Sequence, residues 1–164
     1  MIALIDYGRG NLFSLSQALS HLDADHIITT DVDAVAKADK IILPGVGAFG
    51  DGMAALRESG MDQAIRQAAE DGTPILGVCL GMQLMASGGR EFGDHQGLGL
   101  IAGTVERLPE GCGGIDDVRV PNVGWRTLVR QNQHAFLTDL PDDAMVYFVH
   151  SYAISVEHPE DVAL

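Results

Sequence analysis

Apolar residues fall along this chain in two regimes. Up to about Ala86, short apolar runs alternate with stretches whose apolar positions recur every three or four residues. Ile2–Ile5 is such a run and ends at the turn signal Asp6-Tyr7-Gly8. Leu12, Leu15, Leu19 and Leu22 then repeat at helical spacing and predict an amphipathic helix from Asn11 to Leu22. His26–Thr30 reads as a second strand, and Asp31 is placed to cap a short helix through Ala38. Ile41–Leu43 is a third strand, stopped by Pro44-Gly45. Helices follow over Gly52–Glu58 and Met61–Glu70. After Gly72-Thr73-Pro74 comes Ile75–Val78, a short apolar run without alternation, which predicts a central strand buried on both faces. Leu80 to Ala86 reads as a helix.

This strand–helix order implies an α/β fold of the flavodoxin-like kind, a mostly parallel sheet between two helical layers. Beyond Gly88 the texture changes to Gly, Pro and short alternating runs. Gly103–Leu108, Trp125–Val129 and Val146–Tyr152 predict shorter, partly antiparallel strands added to that sheet. With 164 residues and no repeat or low-complexity linker, residues 1–164 are expected to form one domain.

Charge narrows the partners. Twenty-three acidic residues against 10 basic ones give a net charge of −13, which repels a phosphate backbone over most of the surface. Nucleic acid is therefore not an expected partner. No apolar stretch reaches membrane-spanning length, and the opening Met1–Asp6 is no signal peptide, so a membrane association is not expected either. The two cysteines, Cys79 and Cys112, make neither a disulfide scaffold nor a zinc pairing, so a reducing, cytoplasmic setting is expected, with no metal and no cofactor.

Cys79 sits in the most informative segment, Gly77-Val78-Cys79-Leu80-Gly81. A glycine-flanked cysteine between a buried strand and a helix fits a nucleophile elbow, where a sharp turn presents one side chain at the sheet edge. The glycines let neighbouring backbone pass without a Cβ. A helix start favours a thiolate and offers amide hydrogens to an oxyanion, with the Leu80 N–H as the nearest donor. The plain alternative is a small buried core cysteine. A second glycine-rich turn, Pro44-Gly45-Val46-Gly47-Ala48-Phe49-Gly50, follows the third strand and could aim further amides at the same charge. No G-K-[ST] follows it, so it is not a phosphate loop.

These segments also carry a resemblance. Asp6-Tyr7-Gly8-Arg9-Gly10-Asn11-Leu12, Leu43–Met53, Gly77–Leu84 and Tyr147-Phe148-Val149-His150-Ser151-Tyr152 occur in the order found in class I glutamine amidotransferases. Within that class they resemble the glutaminase subunit of imidazole glycerol phosphate synthase, over essentially the whole chain. The resemblance implies that Cys79 attacks the side-chain amide of glutamine, expels ammonia and forms a glutamyl thioester that water hydrolyses. It implies an adjustable oxyanion strand at Gly45, Val46 and Gly47. It places Gln83, Glu91, Ser151 and Tyr152 around the bound glutamine. Ammonia would pass to a (βα)8-barrel synthase subunit of a heterodimer in histidine biosynthesis, and the family is typically almost inactive until that partner is loaded with its nucleotide. Trp125 would anchor the barrel interface. Without the resemblance, Gln83 reads equally as a solvent-facing helix residue and Tyr147–Tyr152 as an ordinary strand end.

Two departures accompany it. The family's base is a His-Pro-Glu beyond further strands. Only five residues separate His158-Pro159-Glu160 from Tyr152, and its flanks differ, so it reads as a loop. The catalytic pair is expected beyond Leu164, where the chain reads as the start of another strand. The family also carries histidine and asparagine where Asn122 and Arg126 stand, which leaves open a paralogue serving a related barrel. His150 is expected to shape the pocket, while His21, His26, His95 and His134 read as surface or capping residues. Alternatives to a glutaminase subunit of this synthase are another class I amidotransferase, a non-catalytic partner-binding domain, or a flavodoxin-like redox module.

Overall fold

The computed structural model describes residues 1–109, 119–132 and 135–164. Cys112 and His134 lie outside the described residues. Four parallel strands form the first sheet: β1 (Ile2–Ile5), β2 (His26–Thr29), β3 (Lys40–Leu43) and β4 (Ile75–Gly77), in the order β2-β1-β3-β4. Their connections are the helices α1 (Leu12–His21), α2 (Val32–Ala36), α3 (Phe49–Glu58) and α4 (Met61–Glu70), and α5 (Leu80–Leu84) follows β4. The expected cap at Asp31 is made, its side chain accepting from Asp33 N at 3.0 Å, while Asn11, read as the first helical residue, instead caps α1 by accepting from Ser14 N at 3.1 Å.

Strand alternation sorts the buried residues into two faces. Ala3, Ile5, Ile41 and Leu43 pack with Val35, Met53, Leu56, Met61, Ile65, Leu80 and Leu84 on the side of α2–α5. Leu4 and Ile42 pack on the other face with Leu12, Leu15 and Leu19 of α1. The three layers follow from that division: α1, the sheet, and the remaining helices.

Several expectations need correction. Among the described residues β4 is an edge strand, not the central one expected. It pairs only with β3 there, and Leu76 is 43% exposed. An unbroken apolar run marks a strand that can be covered on both faces and does not say whether both of its edges are paired. The α5 helix stops at Leu84, because Ala86 already belongs to β5 (Ala86–Gly89), whose glycines favour an extended close approach. The later strands form their own sheets and do not extend the first. β5, β6 (His95–Gln96), β7 (Ile101–Arg107) and β10 (Tyr152–Val156) make a second sheet in the order β10-β7-β5-β6, joined to the main core through Ala86, Leu98 and Val105. β8 (Asn122–Thr127) and β9 (Met145–His150) make an antiparallel pair. The run read as one strand, Val146–Tyr152, is thus two strands meeting at Ser151, and the strand read as Trp125–Val129 starts at Asn122. Residues 162–164 form no strand; Ala163 O accepts from Gln131 N at 3.0 Å.

Tyr7 ties the start of the fold to the glycine-rich turn after β3. Its hydroxyl, buried, donates to Pro44 O at 2.8 Å. Tyr7→Phe strands that carbonyl and is expected to cost about 1–3 kcal/mol in urea unfolding. Burial raises the Tyr7 pKa well above its usual value, outweighing the lowering by Arg9 and reinforced by nearby Cys79. A raised folded pKa contributes stability that is present below the unfolded value of about 10 and is lost as pH climbs above it. Wild type should therefore lose stability in alkaline titration from this group, and Tyr7→Phe should show a shallower loss.

Candidate active site

Cys79 caps the start of α5 with φ 55° and ψ −119°, and its side chain is exposed. The core-cysteine alternative is thereby set aside. The backbone reaches this left-handed position because both flanking glycines are pressed against other chain. A β-carbon on Gly81 would lie 1.9 Å from Leu43 O, and one on Gly77 would lie 2.4 Å from the Met82 Cα. Gly45, in the facing turn, would meet Gly81 N at 2.6 Å. The two glycine-rich turns are therefore packed backbone to backbone, which no side chain would permit. Val78 N donates to Leu43 O at 2.9 Å and locks β4 to β3 just before Cys79. Leu80 is the first residue of α5, where an amide has no partner inside the helix, so its N–H is available beside the thiol.

A cavity of about 530 Å³ opens over Cys79, an ordinary size for a small-ligand site. Its wall includes Val46, Gly47, Leu80, Gln83, Glu91, Ser151 and Tyr152, so the site residues read from the sequence converge here with Cys79, apart from Gly45 and Trp125. A larger cavity of about 790 Å³ on the β8–β9 pair contains neither Cys79 nor the glycine-rich turn, so the smaller one is the candidate site.

Neighbouring backbone holds two of the polar side chains in the wall. Gln83 is only 9% exposed, not solvent-facing, and its amide Nε2 donates to Tyr152 O at 3.0 Å. Glu91 accepts from Phe49 N at 2.8 Å, which satisfies the first amide of α3 and fixes the far end of the glycine-rich turn. Gly47 adopts φ +104°, and Arg9 lies beside it, paired with Asp51 at 3.6 Å.

His150 lines the pocket, but both ring nitrogens are engaged. Nδ1 is 2.9 Å from Tyr152 O and must donate to it, which leaves Nε2 to accept from Asn122 Nδ2 at 3.0 Å. Asn122 thus holds one tautomer of His150, a connection invisible in the sequence because 28 residues separate them. His158 is exposed at the start of a one-turn 3-10 helix (Pro159–Asp161) and does not line the cavity. Among the described residues, no free histidine faces Cys79. His26 bridges Ser16 Oγ and Ala24 O at 2.8 Å each, and His95 packs against Phe49 with ring centroids 6.4 Å apart, so neither is a plain surface residue.

Trp125 stands outside the cavity, 61% exposed, stacked edge-on against Tyr147 at 5.7 Å. Val123 pairs with Val149 and Trp125 with Tyr147, giving one exposed apolar face that reaches the cavity rim at Val149. No group of three or more His, Cys, Asp or Glu among the described residues is arranged to hold a metal. No described helix is long and apolar enough to cross a membrane.

A cysteine elbow on a parallel sheet, facing a glycine-rich turn, defines the class, and the comparisons agree. Residues 3–163 match the family model described as glutamine amidotransferase class-I, and the chain belongs to that family. Within it, similar curated proteins include imidazole glycerol phosphate synthase subunits HisH. That of Symbiobacterium thermophilum is 46% identical over 96% of this chain and 72% of its own length. Those of Oceanobacillus iheyensis and Geobacillus thermodenitrificans are 46% and 45% identical, over 94% and 100% of this chain and 74% and 76% of their own lengths. A solved glutamine amidotransferase shares the fold at a TM-score of 0.70 with 17% identity, covering 94% of this chain and 74% of that one.

Proposed function

We propose that this chain is the glutamine-hydrolysing subunit of an imidazole glycerol phosphate synthase, acting in histidine biosynthesis in the cytoplasm. The exposed Cys79 thiol at a strained turn, opening into a cavity walled by Gln83, Glu91, Ser151 and Tyr152, carries the reading. Cys79 Sγ attacks the side-chain carbonyl of glutamine, and the carbonyl oxygen gains the charge that the amides of Leu80, Val46 and Gly47 stabilise. Collapse of the tetrahedral species breaks the C–N bond, and the leaving nitrogen takes a proton and departs as ammonia. Water then hydrolyses the thioester to glutamate. Gln83, Glu91, Ser151 and Tyr152 hold the amino-acid end, with the Glu91 oxygen not bonded to Phe49 free to face an ammonium. His150, held at both nitrogens, is not the base.

The apolar face of Val123, Trp125, Tyr147 and Val149 suits docking of a (βα)8-barrel synthase subunit in a heterodimer, since large exposed aromatics make good interface anchors. Ammonia released at the cavity rim would then be delivered into that partner for its lyase chemistry. A non-catalytic partner-binding role is the second reading.

Labelling with 6-diazo-5-oxo-L-norleucine separates the two. The glutaminase reading expects one adduct, mapped to Cys79 and suppressed by excess L-glutamine. Labelling elsewhere, or none even with the barrel subunit present, sinks it.

A further inference from the structure

Phe92 occupies a backbone position that phenylalanine avoids. Its φ is +57°, where the β-carbon of an L-residue crowds the following carbonyl. No burial offsets that crowding, for the residue is 86% exposed. The strain is imposed from both sides. Phe92 sits mid-way along the loop joining β5, ending at Gly89, to β6, starting at His95. On one flank Glu91 is fastened to Phe49 N at 2.8 Å. Across the loop Arg90 pairs with Asp94 at 3.8 Å, and it is also bonded to Glu106 on β7. Gly93 follows with φ +136°. A loop so braced holds the ring at the cavity of Cys79, where Phe92 joins Val46, Pro121 and Val149 in the apolar part of the wall.

Strain that persists at an exposed position beside a nucleophile points to function. We propose that Phe92 is a substrate-contacting residue, whose ring covers the methylene chain of the glutamine held beside Cys79. The inference rests on the glutamine reading above. Glutamine has two methylenes between its charged end and its amide, and an aromatic face gives them an apolar surface that water cannot. The exposed ring becomes covered only when the site is filled, so its contribution appears in binding and not in folding. Glu91, the preceding residue, anchors the same loop to the glycine-rich turn, so the ring and the oxyanion donors keep a fixed relation.

The test measures L-glutamine affinity by calorimetry and melting temperature by scanning, on the 164-residue chain. Phe92→Asn is the informative variant, since asparagine tolerates the left-handed region. Phe92→Gly relieves the strain without adding a side chain, and Phe92→Tyr keeps the ring. Removing the ring should weaken binding about tenfold, the scale of deleting an apolar group from a pocket. The melting temperature of Phe92→Asn should rise by about 2–4 °C, the size expected from relieving a strained residue in a domain of this length. Phe92→Tyr should bind like wild type. Unchanged affinity in Phe92→Asn and Phe92→Gly, with wild type binding normally, overturns the role of Phe92 alone. Failure of wild type to bind glutamine, with no protection of Cys79 from iodoacetamide by glutamine, overturns the glutamine reading and this inference together.

Discussion

Gly81→Ala is expected to unfold the nucleophile turn outright. The new methyl would stand 1.9 Å from Leu43 O and 2.9 Å from the Pro44 carbonyl carbon, and this backbone cannot swing away as a side-chain tip would. Relief demands that α5 separate from the end of β3, which also breaks the Val78 N to Leu43 O bond. Overpacking of a well-fitted interior costs about 1–3 kcal/mol, and more when backbone must move. A loss on the order of 4 kcal/mol is expected, a large share of a typical domain's stability. Urea unfolding measures it. Gly72→Ala serves as the contrast, since its β-carbon would meet nothing within 4 Å and it suffers only from its φ of +83°. Comparable losses in the two variants would show that close packing at Gly81 is not what holds the turn.

The second large effect separates stability from chemistry at one residue. Cys79→Gly should eliminate thioester formation, reducing glutaminase turnover by about a thousandfold or more, the scale of losing a nucleophile. The same change should raise stability, because φ 55° with ψ −119° is a conformation glycine enters freely and cysteine does not. Residues held in such regions carry strain of about 1–3 kcal/mol each, part of which glycine gives back in unfolded-chain entropy. A net gain of about 1 kcal/mol is expected. Cys79→Ala, which keeps a β-carbon, should be equally inactive without that gain. Ammonia release in the presence of the barrel subunit and thermal unfolding of the isolated chain report the two quantities. Equal melting temperatures for Cys79→Gly and Cys79→Ala would mean that the turn is unstrained.

The sequence displays what depends on neighbours along the chain. The α1 periodicity, the Asp31 cap and the glycine spacing around Cys79 are local, and the structure contains each of them. What it conceals depends on distant partners. Nothing about Ile75–Val78 tells whether a strand lies on its far side, so an edge strand resembled a central one. The Glu91 cap on α3 crosses 42 residues. The break at Ser151 hides inside one continuous run, because the strands on either side are each apolar. Phe92 gives no signal of its left-handed backbone beyond the glycine that follows it. Gln83 could be read as buried or solvent-facing until β10 supplied the Tyr152 carbonyl that it bonds.

The edge position of β4 has a consequence in time as well as in space. Pro74 O and Val78 N are directed to β3, so the amides of Ile75 and Gly77 turn outward, with no strand among the described residues to receive them. Their amide protons should exchange with solvent much faster than those of β1, which is paired on both sides by β2 and β3. Cys79, the proposed nucleophile, therefore follows a strand paired on one side only among the described residues, while the chain's opening strand is paired on both. Anything that pairs with or covers that edge would slow the exchange and steady the thiol at once.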